Sequence, residues 1–361
     1  MSGREERVLQ IIETARSKRP RFRDQQVTLA HGAGGKASQT LIEGLFVPAF
    51  DESHAGALSA LGDAGAITVD GARLALSTDS FVVKPLRFPG GSIGELAVNG
   101  TVNDLAVSGA RPVALSVSLI LEEGLDADVL RAEVEAIAAA ARAAGVEIIA
   151  GDTKVVERGA ADQMYVCTTG IGAIDPRAAV APDAIAVGDQ VLVSGPIGEH
   201  GTAIMLARGE FELDAAIESD TRPLWPAVDA LLDAAGEELH CMRDATRGGV
   251  ASVLNELARS SAVSIAVHEA DVPVSPIVAA AAELLGIDPM YVANEGRLVA
   301  FVSPQAAEDA LRALKAVPGC ERAAVIGDVR REPPGMVVVE TSFGGRRVMD
   351  QLVGDPLPRI C

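Results

Sequence analysis

Four aspartates stand at positions from which they could bind a metal ion. Asp63 and Asp79 flank two short β-like segments that a predicted hairpin turn joins. Asp104 follows inside a predicted helix, and Asp244 opens a glycine-containing turn much further along the chain. Hard divalent cations such as Mg²⁺ take oxygen ligands, which carboxylates supply. The first three aspartates therefore predict a cation site, and Asp244 could reach the same ion.

A glycine-rich stretch, residues 29–36, has the composition of a loop that contacts phosphate. Gly34, Gly35 and Lys36 precede a helix-like segment at 37–46. Glycine allows the backbone to approach a phosphate closely, and a helix N-terminus favours anions. The spacing is not that of a P-loop, so the residues alone leave an ordinary turn as the alternative.

The segment at 94–109 combines the apolar pattern of a buried helix with three polar side chains, Asn99, Asn103 and Asp104. Burying an unpaired polar group costs about 2–7 kcal/mol, and burying a charge costs more. We therefore interpret this face of the helix as one that a ligand covers.

The last six residues, 356–361, predict an extended strap that ends on a thiol. Pro356 and Pro358 fix φ and remove two backbone donors, which excludes a helix or a central strand. A terminal Cys361 is exposed to oxidation, so it is either incidental or functional. Prenylation is excluded, because that modification requires three residues after the cysteine.

Composition narrows the class of protein. Hydrophobic residues make up 48% of the chain and aromatic residues 3%, which is typical of a globular α/β protein with an aliphatic core. The net charge of −19 argues against nonspecific nucleic-acid binding. Four cysteines without Cys-x-x-Cys spacing predict neither a zinc site nor a disulfide framework. With no apolar run long enough for a membrane span and no signal peptide, we expect a cytoplasmic protein.

The order of predicted strands and helices favours two α/β domains. A length of 361 residues suits this division, and prolines near 176 and 182 mark the boundary. We predict a helical N-terminal extension at 1–26, a first domain at 27–175, a second domain at 185–342 and a flexible tail at 343–361. Glycines at 344, 345 and 354 are the predicted hinges of that tail.

Seven short motifs occur in an order that resembles the HypE family of hydrogenase maturation factors. They lie at 31–36, 77–80, 99–110, 151–154, 244–249, 294–298 and 358–361. The resemblance covers about residues 27–361 and implies the two-domain PurM-like fold of the aminoimidazole-ribotide-synthetase-like superfamily, with N-terminal domains that pair into a homodimer. It also implies an ATP-dependent carbamoyl dehydratase, which converts an S-carbamoyl group on the terminal cysteine into a thiocyanate. That group is the source of the cyanide ligands of nickel–iron hydrogenase.

The resemblance assigns a role to individual residues of this chain. It makes Cys361 the acceptor of the carbamoyl group, Lys154 the cation near the reacting oxygen and Glu295 the base near the nitrogen. Magnesium is expected on Asp63, Asp79, Asp104 and Asp244. The residues implied in ATP binding are Gly34, Gly35, Lys36, Asp79, Asn103, Asp104, Asp152, Thr246 and Arg247. The implied partners are a HypF-like carbamoyltransferase and a HypC–HypD-like cyanide acceptor.

Two other functions stay open at this stage. A selenophosphate-synthetase-like enzyme would share the ATP site, but it uses a Cys or selenocysteine near its glycine-rich loop, and this loop has none. A non-enzymatic carrier with a cysteine-tipped tail would not need the carboxylates. For Lys154 and Glu295 the alternative to a catalytic role is a surface salt bridge, worth ~1 kcal/mol or less.

Overall fold

The computed structural model describes residues 21–50, 62–209, 216–352 and 359–361. The predicted helix in the N-terminal extension lies almost wholly outside this part of the chain. Among the described residues, none of the helices has the length and apolar character needed to span a membrane.

The N-terminal domain is built on a five-stranded sheet in the order β1-β2-β7-β5-β6. Strands β5 and β6 run parallel, and the other neighbours are antiparallel. A two-stranded ribbon, β3 with β4, lies apart from this sheet. The strands are β1 (Gly65–Val69), β2 (Ala72–Phe81), β3 (Arg87–Phe88), β4 (Gly91–Ser92), β5 (Ala110–Glu122), β6 (Glu147–Val156) and β7 (Met164–Ile174).

In the part of the chain that the structure describes, helices cover one face of this sheet. Two short helices come first in the chain, after the glycine-rich region: α1 (Lys36–Leu41) and α2 (Val47–Phe50). The helices on the sheet are α3 (Ile93–Val107) and α4 (Ala127–Ala144). A π-helical turn at Ile42–Phe46 joins α1 to α2. Helix α3 is buried on nearly every side, between the sheet, α4 and the second domain. Helix α4 begins at Asp126, whose side chain accepts two backbone N–H groups, and ends at Gly145 with φ of 69°.

The C-terminal domain is built on a seven-stranded mixed sheet in the order β14-β13-β10-β12-β8-β11-β9. Its strands are β8 (Gln190–Val193), β9 (Leu239–Asp244), β10 (Ser264–His268), β11 (Leu298–Val302), β12 (Ala324–Arg330), β13 (Met336–Glu340) and β14 (Arg346–Met349). Its helices are α5 (Glu199–Ala207), α6 (Trp225–Ala235), α7 (Gly249–Ser260), α8 (Pro276–Leu285) and α9 (Ala307–Ala316). All five residues of β11 are buried, because apolar layers pack on both faces of this sheet.

The predicted two-domain α/β architecture is confirmed, and two local predictions are wrong. The apolar run at 146–150 predicts a buried strand that ends at the polar residues 151–154, but the exposed strand β6 continues through them to Val156. The predicted tail at 343–361 begins too early, because β14 pairs with β13 and closes the second domain. Gly344 and Gly345 therefore form a hairpin turn and are not hinges of the tail.

Candidate active site at the domain interface

Three aspartates from both domains meet where the domains touch. Asp63 precedes β1, Asp104 lies in α3, and Asp244 is the last residue of β9. Each offers one carboxylate oxygen, and the three oxygens lie within 4.8 Å of one another. The structure thus gathers three of the four aspartates that were predicted to bind metal.

Burial dominates the electrostatics of these three aspartates. It raises the pKa of Asp63 to about 6, and it raises the pKa values of Asp104 and Asp244 well above their usual range, with neighbouring aspartates adding to the effect. Arg243 Nε lies 2.6 Å from Asp63 Oδ1 and offsets part of the charge. Within the described chain, Asp63 Oδ2 and Asp244 Oδ2 are buried without a hydrogen-bond partner. Adjacent, buried and unpartnered carboxylate oxygens fit a hard divalent cation.

Asp79 lies in the same neighbourhood but is committed to a hydrogen bond. Thr101 Oγ1 on α3 donates to Asp79 Oδ2 over 2.8 Å, and burial raises the Asp79 pKa against this bond. Two residues earlier on β2, Ser77 Oγ donates to Asp104 Oδ2 over 2.6 Å. These hydroxyls fix the carboxylates of β2 and α3 relative to each other, and the close ligand set consists of the other three aspartates.

The glycine-rich stretch packs against the turn that follows β9. Gly34 has a φ of +74°, and a Cβ there would come within 3.0 Å of Arg247 Cβ, so the position requires glycine. Arg247 Nη1 donates to the Gly32 carbonyl over 3.0 Å. Thr246, just before it, accepts the Gly249 N–H through its carbonyl and closes the turn. Two segments predicted to bind ATP are therefore in direct contact.

Lys36 makes a different contact from the one predicted. Gly35 stands in extended conformation before α1. The ammonium of Lys36 lies 2.7 Å from Asp350 Oδ2. The backbone N–H of Lys36 donates to the Leu352 carbonyl over 2.9 Å. In this arrangement Lys36 holds the start of the tail, and a contact with phosphate would require the ion pair with Asp350 to open.

Arg247 lies among the negative groups of the predicted site. The charge of Cys361 is the largest cause of a raised Arg247 pKa, and Glu295, Asp79 and Asp104 act in the same direction against the effect of burial. The charges of the terminal residue, the predicted base and two of the predicted metal ligands thus all act on one guanidinium.

Glu295 lies buried in the turn before β11. Its N–H donates to Asp220 Oδ1 over 3.0 Å, and the Gly296 N–H donates to Asp220 Oδ2 over 3.3 Å. Burial, together with the charges of Asp244 and Asp220, raises the pKa of Glu295 well above its usual range. Its Oε1 is buried with no hydrogen-bond partner in the described chain. A carboxylate in this environment can accept a proton near neutral pH.

Asn103 was predicted to contact ATP, and in this structure main-chain groups of the protein hold its side chain. Its side chain is 1% exposed. Its Nδ2 donates to the carbonyls of Arg222 and Glu295, and its Oδ1 accepts the Leu224 N–H. Because these bonds use its amide in joining α3 to the second domain, Asn103 positions the Glu295 turn, and its contact with ATP stays a prediction.

Asp152 and Lys154 form a solvent-exposed ion pair on β6. Lys154 Nζ lies 2.6 Å from Asp152 Oδ2, and the two side chains are 66% and 59% exposed. The hydrogen bond from the Lys154 ammonium, together with its positive charge, lowers the pKa of Asp152. Within the described residues, this pair is an ordinary surface salt bridge.

The sheet register separates that pair from the aspartate cluster. Asp79 pairs with Thr168, which pairs with Val117 on the face that α3 covers. Asp152 pairs with Ser118, the neighbour of Val117, and so lies on the opposite face. The prediction that Asp152 and Lys154 join the same site is wrong within one chain, because the sheet stands between them.

The last residues of the chain lie in the domain interface. The Cys361 carbonyl accepts the Val82 N–H over 3.0 Å, next to the end of β2. Ile360 is 2% exposed and packs in the apolar cluster that contains Phe81 and Ile204. The terminal cysteine therefore lies between the domains, next to the end of β2, the strand that carries Asp79.

Sequence reasoning missed two buried polar residues of this site. Asp220 holds the Glu295 turn, and His200 Nε2 lies 2.7 Å from the Ile360 carbonyl. Asp220 is one of 50 acidic residues and lies in a segment without periodicity, so nothing in the pattern distinguished it. The Gly198-Glu199-His200 sequence at the start of α5 was the available signal for His200, since histidine there is unusual among apolar neighbours.

Known domain families match most of this chain. Residues 61–174 match the family described as AIR synthase related protein, N-terminal domain, and residues 186–340 match the C-terminal domain of the same description. The boundary between the two matches coincides with the one between the two sheets.

Full-length relatives and solved structures extend this similarity. The carbamoyl dehydratase HypE of Rhodobacter capsulatus is 48% identical over 340 residues, covering 94% of this chain and 99% of the relative. A solved structure of the hydrogenase maturation protein HypE in complex with ATP is 45% identical, covers 93% of this chain and 100% of its own, and superposes with a TM-score of 0.77. A HypE–HypF complex is 43% identical, covers 86% and 99% of the two chains, and gives a TM-score of 0.81.

Proposed function

Because the chain belongs to the HypE family of carbamoyl dehydratases, we propose that it uses ATP to dehydrate an S-carbamoyl group on its own Cys361. The carbamoyl oxygen takes the γ-phosphoryl group of ATP and later leaves with it as phosphate. The nitrogen loses one proton as the oxygen is phosphorylated and the second as phosphate leaves. The carbon–nitrogen bond then becomes triple, and the products are an S-cyanocysteine, ADP and phosphate.

The position of Cys361 is the observation that carries this proposal. A terminal cysteine that was only a carrier would not need to lie in the same interface as a buried carboxylate cluster. Here the tail tip is docked between the two domains, and the charge at Cys361 acts on Arg247 together with the charges of Glu295, Asp79 and Asp104. A group attached to the thiol therefore has a cation, a weakly acidic carboxylate and a candidate metal site around it.

Glu295 is the residue that we assign as the proton acceptor. Its raised pKa and its unpartnered oxygen suit removal of a proton from the carbamoyl nitrogen. Arg247 can offset the charge that develops on the oxygen as it is phosphorylated, since both lie near Cys361. These two side chains supply the base and a cation from within one chain.

A magnesium ion would be held by Asp63, Asp104 and Asp244, whose oxygens already lie together. Such an ion supplies positive charge that stabilises the phosphates of the nucleotide during transfer. Asp79 adds negative charge beside this site, and Ser77 keeps Asp104 in place. The main-chain groups of Gly34 and Gly35, with Thr246 and Arg247, are the remaining candidates for contacts with ATP.

A homodimer would give Asp152 and Lys154 a role. The face of the N-terminal sheet that α3 and α4 leave uncovered carries the exposed apolar side chains of Ile67, Leu76 and Ile120. Exposed apolar side chains on an open sheet face are typical of a subunit interface. We propose that two N-terminal domains pair through it, and that Lys154 serves the active site of the other subunit as the cation near the reacting oxygen.

The carbamoyl donor is proposed to be a HypF-like carbamoyltransferase, which the solved HypE–HypF complex supports. The cyanide acceptor is proposed to be a HypC–HypD-like iron complex, and the place of action is the cytoplasm. To reach both partners, the tail must leave the interface in which this structure holds it.

The fate of the carbamoyl oxygen tests the proposed reaction. The full chain is supplied with a HypF-like donor, Mg²⁺, ATP and a carbamoyl group labelled with heavy oxygen. We expect one labelled phosphate for each Cys361 converted, and no ATP turnover coupled to the donor in Cys361→Ala. Label that stays on the protein, or ATP turnover that does not depend on Cys361, would overturn the proposal.

A further inference from the structure

The end of the chain is bound by main-chain hydrogen bonds from the N-terminal domain. The Val82 N–H donates to the Cys361 carbonyl over 3.0 Å, and the Lys84 N–H donates to the Arg359 carbonyl over 3.3 Å. Arg359 Nε in turn donates to the Val82 carbonyl over 3.1 Å, and its Nη1 lies 2.9 Å from Asp162 Oδ2. The last three residues therefore lie along the segment after β2 like a short added strand.

The C-terminal domain binds the same three residues from the other side. His200 Nε2 lies 2.7 Å from the Ile360 carbonyl. Arg208 donates to the carbonyls of Arg359 and Lys84, so it bridges the tail and the N-terminal domain. All three backbone carbonyls of the tip thus have a donor, and the donors come from both domains.

A pocket with an apolar lining takes the side chain of Ile360. Ile360 is 2% exposed. The buried residues of its cluster include Phe81, Val83, Leu86, Phe88 and Ile204. Phe88 also contacts the His200 ring edge-on, with 5.5 Å between ring centroids. The pocket suits a branched aliphatic side chain and excludes a charged one.

The hydrogen-bond network determines the state of the His200 ring. A carbonyl oxygen only accepts, so Nε2 must carry the hydrogen. On the other side, the Ser219 hydroxyl accepts the Thr221 N–H over 3.2 Å and can donate to His200 Nδ1 over 2.8 Å. Burial lowers the His200 pKa, which favours this neutral form. The ring is therefore a fixed donor aimed at the tip.

We propose that these groups form a two-domain socket for a C-terminal Arg-Ile-Cys peptide, with His200 as the residue that positions it. His200 holds the Ile360 carbonyl, and Ser219 holds His200. Asp220, the next residue after Ser219, holds the N–H of Glu295. One short segment thus fixes both the reactive end of the tail and the proposed base. The consequence for catalysis rests on the proposed function, whereas the binding of the tip does not.

Cleavage after Arg359 by a short trypsin pulse tests the socket on the full chain without nucleotide. Trypsin needs an extended, released segment, so it reports the undocked fraction. Digestion with an Asp-specific protease then yields the peptide from Asp355, which ends at Arg359 or at Cys361. A synthetic peptide of residues 355–361 calibrates each pulse.

His200→Leu keeps the apolar volume but removes the donor, and we expect cleavage about tenfold faster than in the parent chain. His200→Gln places an amide N–H near the position of Nε2, and we expect it to restore slow cleavage. His240→Leu is the matched control, because His240 pairs with Asp189 away from the tip, and it should leave the rate unchanged. Thermal unfolding of each variant checks that the domains are intact.

Ile360→Ala changes the tail and leaves the residues of both domains as they are, so it gives a second, independent test. We expect it to speed cleavage, and to speed it further in the His200→Leu background until the rate reaches that of the free peptide, because separate contacts to one docked state add in free energy. A parent-like rate in both His200→Leu and Ile360→Ala would overturn the socket. Failure of the chain to dehydrate carbamoyl groups would overturn the proposed function and leave these cleavage rates as expected.

Discussion

Asp104 is the residue on which most of the carboxylate network depends. It accepts from Ser77, it shares the metal-ligand set with Asp63 and Asp244, and burial, together with the neighbouring carboxylates, raises its pKa. Its ionised form is therefore unfavourable in the empty protein and favourable only beside a cation.

Asp104→Asn should abolish ATP turnover without lowering the stability of the unliganded protein. A neutral amide of the same shape can still accept from Ser77, and it removes repulsion within the cluster. We expect thermal unfolding without ligand at the parent temperature or higher, and loss of the rise that Mg²⁺ with ATP gives the parent. Asp128→Asn, a 93% exposed acid on α4, is the control and should behave like the parent. Normal turnover in Asp104→Asn would contradict the assignment.

Glu295→Gln should separate binding from dehydration. Glutamine keeps the size of the side chain and the backbone contact with Asp220, but it cannot accept a proton at neutral pH. We expect this variant to accept the carbamoyl group and bind ATP, and to yield little thiocyanate. The mass of the C-terminal peptide distinguishes the unmodified, carbamoylated and dehydrated states. Dehydration at the parental rate would show that another group takes the proton.

Residue type and order predicted the acidic part of this site better than its amide part. Asp63, Asp104 and Asp244 were predicted as oxygen ligands of one cation, and their carboxylates lie together. Asn103 was predicted to lie on a face that a ligand covers, but main-chain groups of the second domain satisfy its amide. Sequence alone cannot show that a distant backbone segment supplies such partners.

At the scale of elements, the predictions failed where polar residues lie inside strands. Strand β6 carries Asp152 and Lys154 on an uncovered face, so it lacks the apolar pattern that identified the other strands. Strand β14 was assigned to the tail because Gly344 and Gly345, just before it, resemble a flexible linker. In both places the pairing with a neighbouring strand, which sequence does not display, determines the structure.

Gly344→Ala tests the corrected boundary of the tail. Gly344 has a φ of +83° in the hairpin turn, where an L side chain is strained by about 1–2 kcal/mol. We expect a lower unfolding temperature and unchanged transfer of the carbamoyl group to Cys361. Gly345→Ala, which lacks the positive φ, should cost less. Slower transfer with unchanged stability in Gly344→Ala would instead support a hinge at this position.

At the scale of the whole molecule, the sheet register makes a prediction about subunits. Cys361 and Glu295 lie near one Arg247, whereas Lys154 lies on the far face of the N-terminal sheet. If two chains pair through that face, Lys154 acts across the interface. Lys154→Ala alone should then lose phosphorylation of the carbamoyl oxygen in both sites.

Mixed subunits can show which residues act together in one chain. Co-assembled Lys154→Ala and Cys361→Ala chains should regain dehydration, because the Lys154→Ala chain keeps its own Cys361 and receives lysine from its partner. Glu295→Gln with Cys361→Ala is the matched control and should stay inactive, since that base and thiol belong to the same chain. No recovery in the first mixture, despite a confirmed mixed dimer, would place Lys154 in its own chain's site or outside catalysis.

The mass of the C-terminal peptide tests the central claim most directly. The full chain is first incubated with a HypF-like donor and carbamoyl phosphate until Cys361 is carbamoylated. The dehydration step then follows with Mg²⁺ and either ATP or a non-hydrolysable analogue of ATP. We predict a peptide at residues 355–361 that gains a carbamoyl group in both cases, and loses one water only with hydrolysable ATP. A carbamoylated Cys361 that keeps its water in the presence of ATP would contradict the account.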